Sequence, residues 1–212
     1  MEYNLQDESR RLREITTGSE DIFDGIILHV RRDTVALPNG RSAVREVIRH
    51  IGAVCVIPVL RDGRAVVERQ YRYPVGEVLT EIPAGKLDAP DEDPEEAARR
   101  ELREETGYTC DELIALGVFY PAPAYSSEKI HMYLARGLHR GDQELDEDEF
   151  LNVTLVPLED LAHQALNGEI PDIKTQAAVL RAWTMLTPGK EKRAKSAKKE
   201  RPQAAGVQLP SP

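Results

Sequence analysis

The chain has 212 residues, a length that suits one good-sized domain and leaves little room for two complete ones. Hydrophobic residues make up 41% of it and charged residues 31%, which is typical of a soluble globular protein. No apolar run approaches the roughly 18 residues of a membrane span, and the acidic N-terminus lacks the pattern of a secretory signal. We therefore expect a cytoplasmic protein without a membrane partner.

The net charge of −9 is unevenly distributed along the chain. Residues 189–212 hold seven Lys or Arg and two acidic residues, so the rest of the chain is more acidic than the whole. An acidic body repels nucleic acid, and no specific nucleic-acid partner is expected. The composition of the tail is typical of a disordered, solubilising end, with salt-dependent binding to phosphate backbones as the alternative.

Strand-like segments dominate the first half of the chain. Residues 23–31 and 44–50 are predicted strands, and the apolar, β-branched segment 53–60 is a third. Residues 61–64 contain Asp-Gly, a strong hairpin signal, so the return strand is predicted over residues 65–71.

One helix interrupts the strands, and two more close the domain. The first is predicted over residues 94–106, because Asp93 suits the N-cap and Gly107 the C-terminal stop. Further strands are predicted at 113–120, 129–138 and 150–156, and the closing helices at 158–167 and 173–185. This order indicates mixed sheets between helices rather than a regular βαβ alternation.

Three glutamates share one side of the first predicted helix. On a wheel of about 100° per residue, Glu101, Glu104 and Glu105 fall on the arc of the small apolar residues, which faces the protein body. Carboxylates at this spacing repel one another, and the cost rises as they lose water. A hard divalent cation removes the conflict because it prefers carboxylate oxygen. The alternative is an ordinary exposed, charged helix face.

The sequence from Arg100 to Tyr108 resembles the core of the Nudix box. That motif is written G-x5-E-x7-R-E-U-x-E-E-x-G-U, where U is an aliphatic or aromatic residue. Glu92 stands at the expected spacing before Arg100. Gly85 lies one residue too far upstream, which indicates an insertion in the loop at residues 88–91.

The resemblance extends to the ADP-ribose pyrophosphatase branch of the family. The matching segments are residues 68–74, 81–88, 119–128, 146–150 and 172–175. It implies an α/β fold: the Nudix α/β/α sandwich with a mixed central sheet and a small N-terminal β region. It also implies a homodimer. The expected domains are residues 1–48 as the N-terminal β region and dimerisation arm, 49–188 as the Nudix hydrolase domain and 189–212 as the disordered basic tail.

The activity implied by the resemblance is hydrolysis of the diphosphate bond of ADP-ribose or a related nucleoside diphosphate sugar. The products are AMP, or another nucleoside monophosphate, and a sugar phosphate, and the cofactor is Mg²⁺ with Mn²⁺ as a substitute. GDP-mannose and ADP-glucose stay open as substrates. A non-catalytic nucleotide-sugar sensor is the other alternative, but it would be expected to have a damaged box or an added DNA-binding domain.

The resemblance assigns the metal to oxygen ligands on the helix, on a backbone carbonyl and on the acidic loop. These ligands are Glu101, Glu104, Glu105, the carbonyl of Ala84, and Glu149. Either Glu147 or Glu149 orients or deprotonates the attacking water, with Glu104 as the remaining catalytic candidate. Carboxylates suit both tasks, because a metal-bound water needs only a weak base.

Substrate binding is assigned to two arginines and two acidic residues. Arg72 is the main candidate for gripping the diphosphate because a guanidinium matches phosphate oxygens in a bidentate way. A surface ion pair is the alternative for Arg72. Arg45 is a weaker candidate for the same role. Glu128, expected to accept hydrogen bonds from ribose hydroxyls, and Glu81 complete the set.

Three residues are expected to support the site. Arg100 lies beside Glu101 and Glu104 on the wheel, so its guanidinium can hold a glutamate in position by a charge-assisted hydrogen bond. Gly85 and Gly107 complete this group by their positions in the motif.

Overall fold

The computed structural model describes residues 11–145, 147 and 149–187. The strands are β1 (Ile15–Asp24), β2 (His29–Ala36), β3 (Ser42–Arg49), β4 (Ala53–Pro58), β5 (Arg64–Arg72), β6 (Glu77–Glu81), β7 (Ala84–Lys86), β8 (Tyr108–Phe119), β9 (Ile130–Arg140) and β10 (Leu151–Pro157). The helices are α1 (Pro94–Thr106), α2 (Leu158–Asn167) and α3 (Ile173–Leu186). The predicted disordered tail lies outside the described residues, as do Asp146 and Asp148 of the acidic loop. No described helix is long and apolar enough to cross a membrane.

The first three strands form a separate antiparallel sheet in the order β1-β2-β3. The single strand predicted over residues 23–31 is wrong, because β1 ends at Asp24 and β2 begins at His29. The amide of Gly25 donates to the carbonyl of Leu28 at 2.9 Å and closes a turn between the two strands. The apolar run that resembles a strand is therefore an exposed hairpin tip, at which Ile26 is 96% exposed.

Two further sheets form the centre of the domain. One has the order β7-β4-β9-β8 and is mixed, because β4 and β9 run parallel while the other neighbours are antiparallel. The other is antiparallel in the order β10-β5-β6. The predicted turn at residues 61–64 and the return strand that follows it are confirmed, but the hairpin pairing is not, because β4 and β5 belong to different sheets and only the isolated bridge between Val59 and Ala65 joins the two segments.

Strand β4 is buried at every position and divides the core into two layers. Cys55 and Ile57 point into a cluster with residues of α2 and α3. Val54 and Val56, on the opposite face, pack in a second cluster with Leu102 of α1. Side chains alternate across a strand, so a strand buried on both faces is apolar throughout. The α/β/α arrangement is thereby confirmed.

Helix α1 has the predicted bounds because its end signals are local. The carboxylate of Asp93 accepts the amide of Glu95 at 2.7 Å. Gly107 adopts a left-handed conformation with φ 71°, and its amide donates to the carbonyl of Arg103 at 2.8 Å. These two caps fix the ends of the carboxylate-bearing helix, which packs against β4, β7 and β8.

Candidate active site

A cavity of about 580 Å³ lies between α1, β7, the end of β5 and the acidic loop. It collects most of the site residues expected from the sequence. Those that line it are Arg72, Ala84, Gly85, Arg100, Glu101, Glu104 and Glu149. Glu144, which the sequence reasoning did not single out, also lines the cavity, and its amide donates to the carbonyl of Glu104 at 3.0 Å.

The helix glutamates are buried to different depths. Glu105 is 3% exposed, and one of its oxygens accepts the amide of Ala84 at 2.8 Å. Burial, and then the negative charge of Glu68, raise the pKa of Glu105. Burial raises the pKa of Glu101 to about 7, although its ion pair with Arg100 opposes the shift. Glu104 is the most exposed of the three, at 29% of its side chain against 12% for Glu101.

Because Gly85 has no side chain, the carboxylate of Glu101 can lie directly against its backbone. A Cβ at position 85 would overlap the carboxylate of Glu101, so any other residue there would require that carboxylate to move from its position. The inserted residue in the following loop does not displace this contact. Glu92 closes the loop by accepting the amide of Asp88 at 2.6 Å and the guanidinium of Arg100 at 3.3 Å.

Arg100 contacts the carboxylates on its own helix. Its Nη1 donates to Glu101 at 2.8 Å and to Glu104 at 3.4 Å. Its Nη2 reaches the carbonyl of Lys86 at 3.4 Å, which links the helix to β7. The guanidinium thus holds the carboxylates of Glu101 and Glu104 in place at the wall of the cavity.

The acidic loop lies against the C-terminal end of α1. Gln143 donates to the carbonyl of Glu105 at 2.5 Å. The amide of Gly141 donates to the carbonyl of Gly107 at 2.6 Å, an approach close enough that a Cβ on Gly107 would crowd the loop backbone. Glu149 lines the cavity, and its negative charge contributes to the raised pKa of Glu105. Glu147 is exposed and is not among the residues that line the cavity.

Arg72 is held by a network behind the cavity. Its Nε and Nη2 donate to the two carboxylate oxygens of Glu81 at 2.7 and 2.8 Å. Lys174 of α3 contacts the same carboxylate and also pairs with Asp172 at 3.1 Å. Burial acts to raise the pKa of Glu81, but the hydrogen bonds and charges of the two cations outweigh it and lower the pKa. Glu81 therefore holds Arg72 within the chain, and its contact with substrate stays a prediction.

Two expected substrate residues lie away from the cavity lining. Arg45 is exposed on β3 and pairs with Glu14 through contacts of 2.5 and 2.9 Å. Glu128 is half-buried, and its amide donates to the hydroxyl of Ser126 at 3.1 Å. A single chain brings neither to the carboxylate cluster, and their assignment to substrate stays a prediction.

Glu68 and Lys174 belong to the surroundings of the site, and neither was assigned a role from the sequence. Glu68 had a visible signal, since it is the acidic residue that ends the apolar run Ala65–Val66–Val67 of a strand. Lys174 had none, because it meets Glu81 across 93 residues of sequence.

The oxygen-rich lining fits a hard divalent cation. In the described ranges, no three His, Cys, Asp or Glu side chains are arranged so that they could hold a metal ion by themselves. The carboxylates line an open cavity instead, which suits an ion that keeps its waters and gains further ligands from a phosphate. The raised pKa values of Glu101 and Glu105 indicate that added positive charge would stabilise their ionised forms.

Family models match both parts of the chain. The model described as NUDIX domain matches residues 49–177. The model described as nucleoside diphosphate sugar hydrolase N-terminal domain matches residues 14–48. The two matches together include the separate N-terminal sheet and the cavity.

Relatives and a solved structure agree with these matches. The chain is 41% identical over 172 residues to the ADP-ribose pyrophosphatase of Bacillus subtilis (strain 168), covering 80% of this chain and 92% of that one. It is also 41% identical over 168 residues to the methanol dehydrogenase activator of Bacillus methanolicus, covering 78% and 90% of the two chains. A crystal structure of an ADP compounds hydrolase superposes with a TM-score of 0.69 at 26% identity, covering 82% and 96%.

Proposed function

The chain belongs to the NUDIX family, and we propose that it uses Mg²⁺ to hydrolyse the diphosphate bond of ADP-ribose or a related nucleoside diphosphate sugar. The observation that carries the proposal is the cavity that holds Glu101, Glu104 and Glu149 together with Arg72. The name of the Bacillus subtilis relative supports ADP-ribose as the substrate. The products would be AMP and ribose 5-phosphate.

The proposed metal ligands are four carboxylates, three of which line the cavity, and one backbone carbonyl. They are Glu101, Glu104, Glu105, Glu149 and the carbonyl of Ala84. Mg²⁺ suits this all-oxygen set, and Mn²⁺ is expected to substitute for it. When bound, the cation neutralises phosphate charge and lowers the pKa of a coordinated water.

The remaining residues bind, orient and accept protons. Arg72, held by Glu81, offers its guanidinium to the diphosphate, where two parallel hydrogen bonds give orientation as well as charge. Arg100 keeps Glu101 directed into the cavity. Glu149 is proposed to orient the attacking water and accept its proton, because it lines the cavity while the alternative, Glu147, is exposed.

We propose that the N-terminal sheet mediates a homodimer. The domain bounds expected from the sequence, with residues 1–48 as the arm, belong to this proposal. Strand β1 is exposed along its whole length, and Ile15, Phe23 and Ile26 are 63%, 56% and 96% exposed. Apolar side chains exposed together mark interaction surfaces. Arg45 lies on this sheet and does not line the cavity of its own chain. We therefore propose that any contact between Arg45 and substrate is made in the cavity of the partner protomer. The cytoplasmic location stays a prediction.

Hydrolysis of a substrate panel by two matched variants tests the proposal. The panel contains ADP-ribose, ADP-glucose and GDP-mannose with Mg²⁺, and chromatography identifies the products. Glu105→Gln removes one proposed ligand and is expected to lower kcat by at least about 10²-fold, the scale seen when one electrostatic contribution is removed. Glu96→Gln lies on the exposed side of the same helix and should leave kcat unchanged.

The pattern of cleavage separates the alternatives. Preference for GDP-mannose would keep the chemistry and replace the substrate. Binding of ADP-ribose without cleavage of any compound would favour a nucleotide-sugar sensor. Equal activity of Glu105→Gln and wild type would contradict the metal site.

A further inference from the structure

Glu68 is a fully buried acidic residue on β5. Its side chain is 0% exposed, and neither carboxylate oxygen has a hydrogen-bond partner among the residues that the structure describes. Burying a carboxylate without a partner is costly in free energy. Each such group in a folded protein therefore calls for an explanation, such as an ion or an ordered water that satisfies it.

The alternation of side chains along β5 directs Glu68 towards helix α1. Val66, two residues earlier, lies on the same face of the strand and packs in the core cluster that contains Leu102. Val67, on the other face, packs in the cluster with α2 and α3. Glu68 thus points to the side of the sheet on which α1 carries Glu105.

The cations near Glu68 are already paired with another carboxylate. Glu81 stands directly opposite Glu68 in the register of β5 and β6, where like charges repel. Arg72 donates two hydrogen bonds to Glu81, and Lys174 contacts the same carboxylate. Burial and the negative charges of Glu81 and Glu149 raise the pKa of Glu68, although Lys174 and Arg72 oppose the shift.

Glu105, like Glu68, has no cationic side chain paired with its carboxylate among the described residues. One of its oxygens accepts the amide of Ala84, and its pKa is raised by burial and then by the charge of Glu68. Glu68 and Glu105 are thus two buried carboxylates with neither an ion pair to a cationic side chain nor a bridging donor within the described part of the chain. A divalent cation with its water ligands would supply both the positive charge and the hydrogen-bond donors that the pair lacks.

We propose, on the basis of the metal-dependent function proposed above, that Glu68 is a further anionic residue of the metal centre. It accepts hydrogen bonds from water ligands of the divalent cation that Glu105 holds. Mg²⁺ usually keeps several of its waters in proteins, and groups that hydrogen-bond to the ligands of a metal tune its affinity. Glu68 is thus a positioning residue that acts through water and does not touch substrate.

Calorimetric titration of the full-length protein with Mn²⁺, without substrate, tests this role. Glu68→Gln is nearly isosteric and is expected to weaken Mn²⁺ binding by about 10- to 100-fold. Asp33→Asn is the matched control, because Asp33 is a buried carboxylate that pairs with Arg49 in the N-terminal sheet. Its affinity for Mn²⁺ should equal that of wild type. Unchanged affinity in Glu68→Gln overturns the proposal.

The thermal midpoint of the metal-free protein separates this role from a merely structural one. Glu68→Gln removes an uncompensated buried charge, so the midpoint should rise while Mn²⁺ affinity falls. A lower midpoint together with weaker binding would indicate a damaged core and overturn the proposal. Glu68→Met provides a second neutral variant, and failure of both variants to fold would show that Glu68 serves the core itself.

Glu105→Gln distinguishes this proposal from the proposed function. If wild type and Glu105→Gln both fail to bind Mn²⁺, the metal-dependent function itself is contradicted. If Glu105→Gln weakens binding and Glu68→Gln does not, only the role of Glu68 is contradicted.

Discussion

The carboxylate of Glu101 occupies the space in which a side chain at position 85 would lie. Adding a methyl group at position 85 would force the carboxylate or the backbone of β7 to move. A metal ligand displaced by a fraction of an ångström loses its coordination geometry, which is sensitive to such shifts for Mg²⁺. Glycine at this position is therefore a requirement of the site rather than of the turn.

We expect Gly85→Ala to lower kcat by roughly 10- to 100-fold, the scale associated with disturbed support of a metal ligand. Steady-state hydrolysis of ADP-ribose with saturating Mg²⁺ measures the effect. Gly18→Ala on β1 is the control, because a Cβ added there would lie 3.9 Å from its nearest neighbour, the Cβ of Thr34, which is an ordinary van der Waals contact. Similar losses in both variants would show a general effect on the fold instead.

Helix α1 is the element that delivers the carboxylates to the cavity. Its N-cap, Asp93, accepts an amide that would otherwise lack a partner in the helix. Its other end is held by Gly107 and by the loop backbone packed against that glycine. The two ends are independent, so the first turn can be weakened without a change at the glutamates near the last turn.

Asp93→Ala is expected to lower the free energy of unfolding by about 1 kcal/mol, the usual value of an N-cap hydrogen bond. Urea denaturation followed by circular dichroism measures it. Asp91→Ala, an exposed residue in the same loop, is the control and should change stability little. Because Asp93 is not among the residues that line the cavity, kcat should stay near that of wild type. A large fall in kcat would contradict the independence of the two ends.

At the scale of the whole molecule, three glutamates link stability, pH and metal binding: Glu68, Glu101 and Glu105. The pKa of Glu101 is raised by burial to about 7, and those of Glu68 and Glu105 are raised as well. An unfolded glutamate titrates near about 4.3. The folded protein therefore holds more protons than the unfolded one above this pH, and stability falls as pH rises towards 7 and beyond.

For the metal-free protein we expect the thermal midpoint to fall by several degrees between pH 5.5 and pH 8. Added Mg²⁺ should raise the midpoint more at pH 8 than at pH 5.5, because it binds the ionised carboxylates. Scanning fluorimetry at both pH values measures this. Glu101→Gln removes one of the titrating groups and should reduce the fall. A gain from Mg²⁺ that does not depend on pH would contradict this account.

The exposed apolar side chains of the N-terminal sheet predict the oligomeric state of the whole molecule. Sedimentation at micromolar concentration should show a species of twice the 23.7 kDa chain mass. Ile26→Ser together with Ile15→Ser should shift it towards monomer, since both side chains lie on the proposed interface. Leu166→Ser, an exposed apolar residue on α2, is the control. A wild-type monomer would contradict the proposal.

Local chemistry explains which parts could be predicted from the sequence. The caps of α1, the Asp-Gly turn and the spacing of Glu101, Glu104 and Glu105 depend on residues a few positions apart, so a short segment of sequence is enough to predict each of them. The apolar run at residues 26–28 was misread, because exposure at a hairpin tip and burial in a strand allow the same residue types there.

The sequence by itself determined the family, the carboxylate helix and the class of reaction that such a helix supports. Only the tertiary structure decided that Glu81 contacts both Arg72 and Lys174, that Glu149 lines the cavity, and that Glu68 is buried with no hydrogen-bond partner for its carboxylate among the residues that the structure describes. The physical reason is distance along the chain. Burial and ion pairing arise between residues that the sheets and helices bring together, and no local pattern encodes which partners meet.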